Sequence, residues 1–205
     1  MKITIFNRNI YILFIKIKSY SHNREKILFE LESSFVSDKH QNFTIYGIIS
    51  KWAKQTPDKV AITAPGRLPL TYYRLNEQIK KVIKELNKLG IVRNDRVAIV
   101  LPNGPDMAVT FLAVSTVATC APLNPNYKAK EFDFYLIDLK AKMLIVQSGL
   151  NTPAISIAEK YGICVLHLSP MSEAGIYSLT SDKHVNLITQ ELAKTNDVAL
   201  VLHTS

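Results

Sequence analysis

Residues 96–127, RVAIVLPNGPDMAVTFLAVSTVATCAPLNPNY, predict one βαβ unit at the centre of the fold. An apolar run at 97–101 is followed by the turn 102–104, and a mostly apolar helix is predicted over 105–118. Glycine before the helix and proline at its first position are typical of a helix start. Neither this strand nor the next, at 120–122, alternates polar with apolar residues. A strand that is buried on both faces of a parallel sheet has such a continuous apolar run.

Strands and helices alternate along most of the remaining chain. The sequence predicts helices at 44–56, 71–89, 128–139 and 152–161, and strands at 60–63, 143–146, 163–168 and 198–202. Residues 169–184 have no clear period and are predicted to form a loop, and residues 186–194 a short helix. The alternation implies parallel pairing through right-handed crossovers. The predicted fold class is therefore α/β: a layered, mostly parallel sheet with helices on both faces.

The clearest helix has recognisable ends and one apolar side. Thr71 is the predicted N-cap, and Gly90 is expected to end the helix in the left-handed conformation. Its apolar positions recur three and four residues apart, which predicts core packing: Tyr72, Leu75, Ile79, Val82, Leu86 and Leu89.

The loop at residues 123–126 follows a predicted strand and has two interpretations. Open α/β sheets bind ligands at the carboxyl ends of their strands, so the loop is a candidate for function. Alternatively, its Asn and Pro residues simply make a turn, with Asn126 capping the helix that begins near Lys128.

Composition and charge exclude several function classes. The chain is 47% hydrophobic and 20% charged, which is enough for a sizeable core. Its net charge of +8 suggests nucleic-acid binding, but the lysines lie along helices opposite apolar stripes, without a basic face interleaved with aromatics, so no nucleic-acid partner is predicted. No segment has the roughly 18 apolar residues that a membrane span needs. Cys120 and Cys164 lie in apolar runs without metal-ligand spacing, as expected in a reducing compartment.

The first 43 residues differ from the rest of the chain. Their first acidic residue is Glu25, after several basic ones, and an apolar run spans residues 10–15. A targeting sequence is one interpretation, although no A-x-A-like cleavage site follows the run. The other is a non-homologous N-terminal extension, for example one that arises from a misassigned start of translation. The predicted division is this extension, residues 1–43, and a second region, residues 44–205.

The second region resembles a known family. VAIVLPNGPDMAVTFLAV and APLNPNYKAKEFDFYL, with the motif Leu-Thr-Tyr-x-x-Leu at residues 70–75, are similar to the N-terminal domain of the AMP-forming acyl-CoA synthetases. Within this adenylate-forming superfamily, the resemblance is to the oxalate and coumarate ligase-like branch. It covers about three quarters of this chain and about a third of a full-length member. The chain is therefore expected to be an N-terminal fragment, and the missing C-terminal remainder is expected to pack on it.

The resemblance implies a ligase that uses ATP, Mg²⁺ and coenzyme A on a carboxylic acid. In the family, a strand like that at 198–202 leads into a Ser/Thr/Gly-rich phosphate loop, and Thr204 and Ser205 match the first two positions of that loop. They are the only nucleotide-binding candidates. The family's catalytic and metal-binding residues lie further on, so no catalytic or metal-ligating residue is assigned here and the chain alone is expected to be inactive. His203 is interpreted as a structural histidine, because no acid or nucleophile lies at useful spacing.

Two other functions remain as alternatives. One is a non-catalytic, flavodoxin-like binding or interaction module. The other is a dinucleotide-dependent enzyme, which the absence of a G-x-G-x-x-G sequence makes a poor match. The expected compartment is the cytoplasm, with the peroxisome as the alternative. The particular acid and the oligomeric state are not predicted.

Overall fold

A computed structural model describes residues 2–5, 44–181 and 191–204. The helices are α1 Ile45–Gln55, α2 Tyr72–Lys88, α3 Pro105–Val114, α4 Ala129–Asp138 and α5 Ala154–Lys160. The strands are β1 Lys2–Ile5, β2 Val60–Ile62, β3 Leu70–Thr71, β4 Arg96–Val100, β5 Thr119–Pro122, β6 Met143–Gln147, β7 Cys164–Pro170, β8 Tyr177–Thr180 and β9 Val201–Thr204.

A five-stranded sheet with the order β5-β4-β6-β7-β8 forms the centre of the fold. Strands β4 to β7 pair in parallel, and β8 is antiparallel to β7. The predicted α/β class with a mostly parallel sheet is confirmed. Two small antiparallel sheets, β2-β3 and β1-β9, accompany it.

Helices cover both faces of the sheet, as predicted. On one face, the apolar sides of α1, α2 and α3 form one core with alternate residues of β4 and β6, including Val97 and Ile145, and α1 packs on α2. On the other, α4 and α5 cover the intervening residues, including Ala98 and Leu144. All four of these strand residues are fully buried, because a strand in the middle of a doubly covered sheet has no face open to water.

Helix α2 begins and ends as its sequence predicts. The Thr71 hydroxyl accepts a hydrogen bond from the backbone N–H of Arg74 at 3.3 Å, and Gly90 follows the helix with φ of 75°. Four of the six predicted stripe residues are buried: Leu75, Ile79, Val82 and Leu86. Thr44 caps α1 in the same way, accepting from the N–H of Gly47 at 3.0 Å.

Helix α3 is shorter than predicted, because it ends at Val114 rather than at residue 118. Its start is as expected, with Gly104 at the N-cap and Pro105 at the first position. After Val114, the Thr116 hydroxyl donates to the carbonyl of Ala113, and the Ser115 hydroxyl donates to a distant segment. Hydroxyl side chains that bond to backbone carbonyls compete with helix continuation, which explains the early end.

Within the described residues 169–181, the prediction of a loop over 169–184 was wrong. β7 continues to Pro170, and β8 returns beside it after a turn closed by the N–H of Met171 and the carbonyl of Ile176 at 2.9 Å. Tyr177 is buried and Ser178 is exposed, so β8 does alternate, but four residues are too few for a period to be recognised.

The end of the chain also differs from the prediction. Residues 182–190 lie outside the described part, and no helix forms at 191–194, where the sequence predicted the end of one. The last strand is β9 Val201–Thr204, a few residues later than the predicted 198–202, and Leu200 forms a single parallel bridge with Cys120.

Candidate functional site

The segment 198–204 lies along the β5 edge of the central sheet. The parallel bridge between Leu200 and Cys120 fixes its direction, and the N–H of Cys120 donates to the carbonyl of Ala199 at 3.0 Å. Since β5 ends two residues after Cys120, at Pro122, the segment runs on from Leu200 toward the carboxyl ends of the strands. Ligands of open α/β sheets are bound at those ends.

Of the two predicted nucleotide-binding residues, the structure describes one. Thr204 is the last residue of β9 and its backbone pairs with Lys2 of β1. Ser205 lies outside the described residues. His203 is also in β9, opposite Ile3. The nucleotide-binding assignment of Thr204 and Ser205 stays a prediction.

One side chain from the turn before β5 and one from the first residue of β5 hold the beginning of this segment. The Ser115 hydroxyl donates to the carbonyl of Ala199 at 3.0 Å, and the Thr119 hydroxyl donates to that of Val198 at 2.8 Å. Both hydroxyl residues are buried, with exposures of 3% and 4%. Sequence reasoning missed these contacts because their partners lie about 80 residues further along the chain.

An ion pair holds the chain at Asp197, the residue before this segment. Arg93 Nε lies 2.6 Å from Asp197 Oδ2, and the same carboxylate accepts the backbone N–H of Lys194 at 2.7 Å. Burial alone would raise the pKa of the Asp197 carboxyl, but these two partners outweigh it and hold the pKa below its ordinary value.

The loop after β5 is closed by its own backbone and one amide side chain. The Asn124 side-chain oxygen accepts the N–H of Asn126 at 2.9 Å, and the Asn124 carbonyl accepts the N–H of Tyr127. The predicted cap at Asn126 was wrong. Lys128 is the N-cap, and its N–H donates to the Glu131 carboxylate at 2.9 Å, because that side chain reaches back from the first turn.

A second candidate region lies where β7 ends. A shallow depression of about 550 Å³ is lined by residues 66–68 and 170–172. Arg67 joins its walls: Nη1 lies 2.6 Å from Asp106 Oδ2, and Nη2 donates to the carbonyls of Met171 and Glu173, each at 2.7 Å. These bonds occupy the two terminal nitrogens, and the Asp106 carboxylate compensates the charge, so the guanidinium does not offer a free cation to a ligand.

Cysteine and metal chemistry find no support in the described residues. Burial raises the pKa of the Cys120 thiol well above its usual range, which suppresses the nucleophilic thiolate. Cys120 and Cys164 are both free. Within residues 44–181 and the two shorter described segments, no three His, Cys, Asp or Glu side chains are grouped as metal ligands, nor is any helix long and apolar enough to cross a membrane.

Comparison with known proteins settles the family. The AMP-binding enzyme family matches residues 49–205, most of this chain and all of the central sheet. The chain belongs to the AMP-binding enzymes. The predicted resemblance to this group is therefore confirmed, whereas the predicted boundary at residue 44 stays a prediction.

Relatives of this chain include CoA ligases. An oxalate–CoA ligase of Arabidopsis thaliana is 36% identical over 167 residues, which are 79% of this chain and 32% of the relative. A probable CoA ligase of Humulus lupulus is 32% identical over 80% of this chain and 32% of its own length. The chain thus spans about a third of the length of these curated relatives.

The fold has solved counterparts as well. A long-chain-fatty-acid–CoA ligase from Archaeoglobus fulgidus superposes with a TM-score of 0.62 at 24% identity, over 85% of this chain and 37% of that structure. The similarity identifies the fold as the N-terminal subdomain of the adenylate-forming enzymes, as predicted.

Proposed function

We propose that this chain forms the N-terminal α/β part of an ATP-dependent, AMP-forming carboxylate–CoA ligase. The observation that carries the proposal is the family match, which runs through β9 to residue 205. The CoA ligases among its relatives support the reaction class.

The reaction has two halves. A substrate carboxylate attacks the α-phosphate of ATP, giving an acyl-adenylate and pyrophosphate. The thiol of coenzyme A then attacks the acyl carbon and displaces AMP, giving a thioester. Mg²⁺ neutralises phosphate charge in such transfers. The described residues supply no cluster of metal-ligating side chains, so no Mg²⁺ ligand is assigned to them.

The role of this chain in that reaction is to carry the start of a phosphate loop. Backbone N–H groups and hydroxyls are the donors that cradle phosphate oxygens, and Thr204 and Ser205 would be the first two residues of such a loop. Two residues cannot enclose a triphosphate. The remaining loop and the catalytic groups would come from a remainder that packs on this chain, so the chain alone is expected to be inactive.

We also propose a cellular compartment for the protein. We assign the protein to the cytoplasm, with the peroxisome as the alternative. The free cysteines, one buried and one partly buried, support a reducing compartment.

Pyrophosphate release with a panel of carboxylic acids, oxalate included, tests the proposal. The 205-residue chain alone is expected to show no turnover above a boiled control. The same chain, mixed with the part of the Arabidopsis relative that lies beyond the matched region, is expected to release pyrophosphate only when an acid is present. Turnover by the chain alone would overturn its inactivity. A reassembled complex that elutes as one species yet stays inactive with every acid would overturn the ligase assignment.

The non-catalytic module remains the second candidate, and the strand order supports it. The order β5-β4-β6-β7 is that of flavodoxin-like sheets, whose ligand lies between the first and third strands in sequence. Here that place corresponds to the loop between β4 and α3. Pro105 contributes no N–H there, and the guanidinium of Arg67 is already paired with the Asp106 carboxylate, so it is not free to bind an anion. A phosphate-bearing ligand is therefore disfavoured at this point.

Association in solution separates the two candidates. A ligase part is expected to self-associate and to bind an apolar dye, since a surface that the remainder would cover is left open. On α4, Phe134 and Ile137 lie one turn apart and are 46% and 49% exposed. Sedimentation showing a monomer that unfolds cooperatively and binds no dye would favour the module.

A further inference from the structure

Two buried hydroxyls, one just after α3 and one at the first residue of β5, bond to the same short segment. Ser115 donates to the carbonyl of Ala199, and Thr119 donates to that of Val198. The Ala199 carbonyl also accepts the N–H of Cys120, so it has two donors. Three hydrogen bonds therefore converge on two adjacent carbonyls.

The two side-chain hydrogen bonds replace backbone hydrogen bonds that a regular pair of strands would have here. In regular pairing, backbone N–H groups of the neighbouring strand would serve the carbonyls, but only the single Cys120–Leu200 bridge links the segment to β5. A valine or an alanine would fill the same space as threonine or serine without a polar group. Buried hydroxyls are costly unless they are bonded, so their presence here indicates a positional role.

That role is to fix the register of the segment against β5. A slip of one residue along the segment moves every following residue by about 3.3 Å and turns each side chain to the opposite face. It would also displace both carbonyls beyond hydrogen-bonding distance of the two hydroxyls. The ion pair between Arg93 and Asp197, 2.6 Å long, fixes the point where the segment begins.

We propose that Ser115 and Thr119 are positioning residues for the candidate nucleotide loop. By holding Val198 and Ala199 in one register, they determine where Thr204, the last residue of β9, is placed. The inference rests on the proposed function, because the loop is part of that proposal. The ligand of that loop is the triphosphate group of a nucleoside triphosphate. Its oxygens need the N–H and hydroxyl donors at the start of the loop to lie at a fixed place.

Amide hydrogen exchange on the 205-residue chain, without nucleotide, tests the register. The double variant Ser115→Ala, Thr119→Val removes both donors with little change of shape. Exchange of the amides at residues 200–204 is expected to rise about tenfold or more relative to the amides of β6, since two hydrogen bonds are lost. Thr119→Ser, which keeps the hydroxyl, is expected to retain most of the protection. Unchanged exchange at 200–204, a rise shared equally with β6, or no rescue by serine would each overturn the register role.

A kinetic measurement on the complex reassembled with the Arabidopsis remainder tests the link to nucleotide. The double variant is expected to raise the KM for ATP several-fold while the KM for the acid is unchanged, and Thr119→Ser to restore it. An active wild-type complex whose KM for ATP does not respond would overturn the positioning role. A wild-type complex that never releases pyrophosphate would instead overturn the proposed function, and the exchange result would still decide the register role.

Discussion

Arg67 joins three segments that are far apart in the chain. Its guanidinium pairs with Asp106 at the start of α3 and donates to the carbonyls of Met171 and Glu173 in the turn before β8. The side chains of Arg67 and Asp106 are only 19% and 15% exposed. One side chain therefore ties the link before β3 to both the helix and the hairpin.

Replacing Arg67 is expected to be costly. Arg67→Ala leaves the Asp106 carboxylate without its cation and removes one donor from each of the Met171 and Glu173 carbonyls, although the Glu173 carbonyl keeps the N–H of Ile176. We therefore expect a loss of about 2–4 kcal/mol in the free energy of unfolding. Arg74→Ala is the matched control. Arg74 pairs with Glu173 at 2.9 Å but is 46% exposed, and a surface pair of this kind contributes about 0–1 kcal/mol. Urea denaturation of the two variants measures the difference, and equal losses would contradict the bridging role of Arg67.

Acid is expected to weaken the attachment of the segment that precedes β9. The pKa of Asp197 is lowered in the folded protein, so its contribution to stability is present above the ordinary value of 3.8 and is lost as the pH falls through the lower, folded value. The free energies of unfolding of the wild type and Asp197→Asn should therefore differ at neutral pH and converge as the pH falls below the lowered pKa of Asp197. Glu191, whose pKa is lowered chiefly by Lys194, also pairs with Arg93, so the double variant Asp197→Asn, Glu191→Gln compared with Glu191→Gln alone isolates the contribution of Asp197. A difference that grows on acidification would contradict the assignment.

At the scale of elements, the turn between β7 and β8 depends on a glycine. Gly175 has φ of +78°, and a Cβ built there would collide with Val109 Cγ2 on α3. The residue therefore satisfies both a left-handed backbone and a close approach of the hairpin to a helix.

A matched pair of alanine variants separates these two requirements. Gly66 has φ of +70° but nothing within 4 Å of its Cβ position, so Gly66→Ala is expected to cost only the backbone term of about 1 kcal/mol. Gly175→Ala adds a clash with a packed side chain and should cost about 1–3 kcal/mol more. Thermal or urea unfolding of both variants provides the comparison. Equal destabilisation would show that the hairpin can move away from Val109.

Elements whose signals are local could be predicted from the sequence. α2 has its cap, its apolar stripe and its terminal glycine within about 20 residues, and each behaves as its residue type dictates. β8 could not be found, because its four residues become a strand only through pairing with β7. α3 was predicted too long, since the partner that draws Ser115 out of the helix is 84 residues away.

In the candidate site, too, residues with a local sequence signal could be predicted, and contacts between distant segments could not. Thr204 and Ser205 could be proposed because the residues before them resemble a known strand and loop. Nothing near Ser115, Thr119 or Arg93 in the sequence points to residues 197–199, because contacts between distant segments are fixed only by the folded sheet.

At the scale of the whole molecule, the proposed function depends on where the last described segment lies. The family match establishes what kind of protein this is, and the sheet gives residues 198–204 their place beside β5. A phosphate loop can continue from Thr204 only if that segment enters the sheet in parallel and reaches the carboxyl ends of the strands.

The most direct measurement of this placement is the set of backbone nuclear Overhauser effects around Cys120 in the labelled 205-residue chain. We predict effects from Cys120 to both Ala199 and Leu200, in the pattern of parallel strands, together with extended-strand chemical shifts from Val201 to Thr204. Helical or random-coil shifts over residues 198–204, with no effect linking them to Cys120, would contradict the placement and the phosphate loop that depends on it.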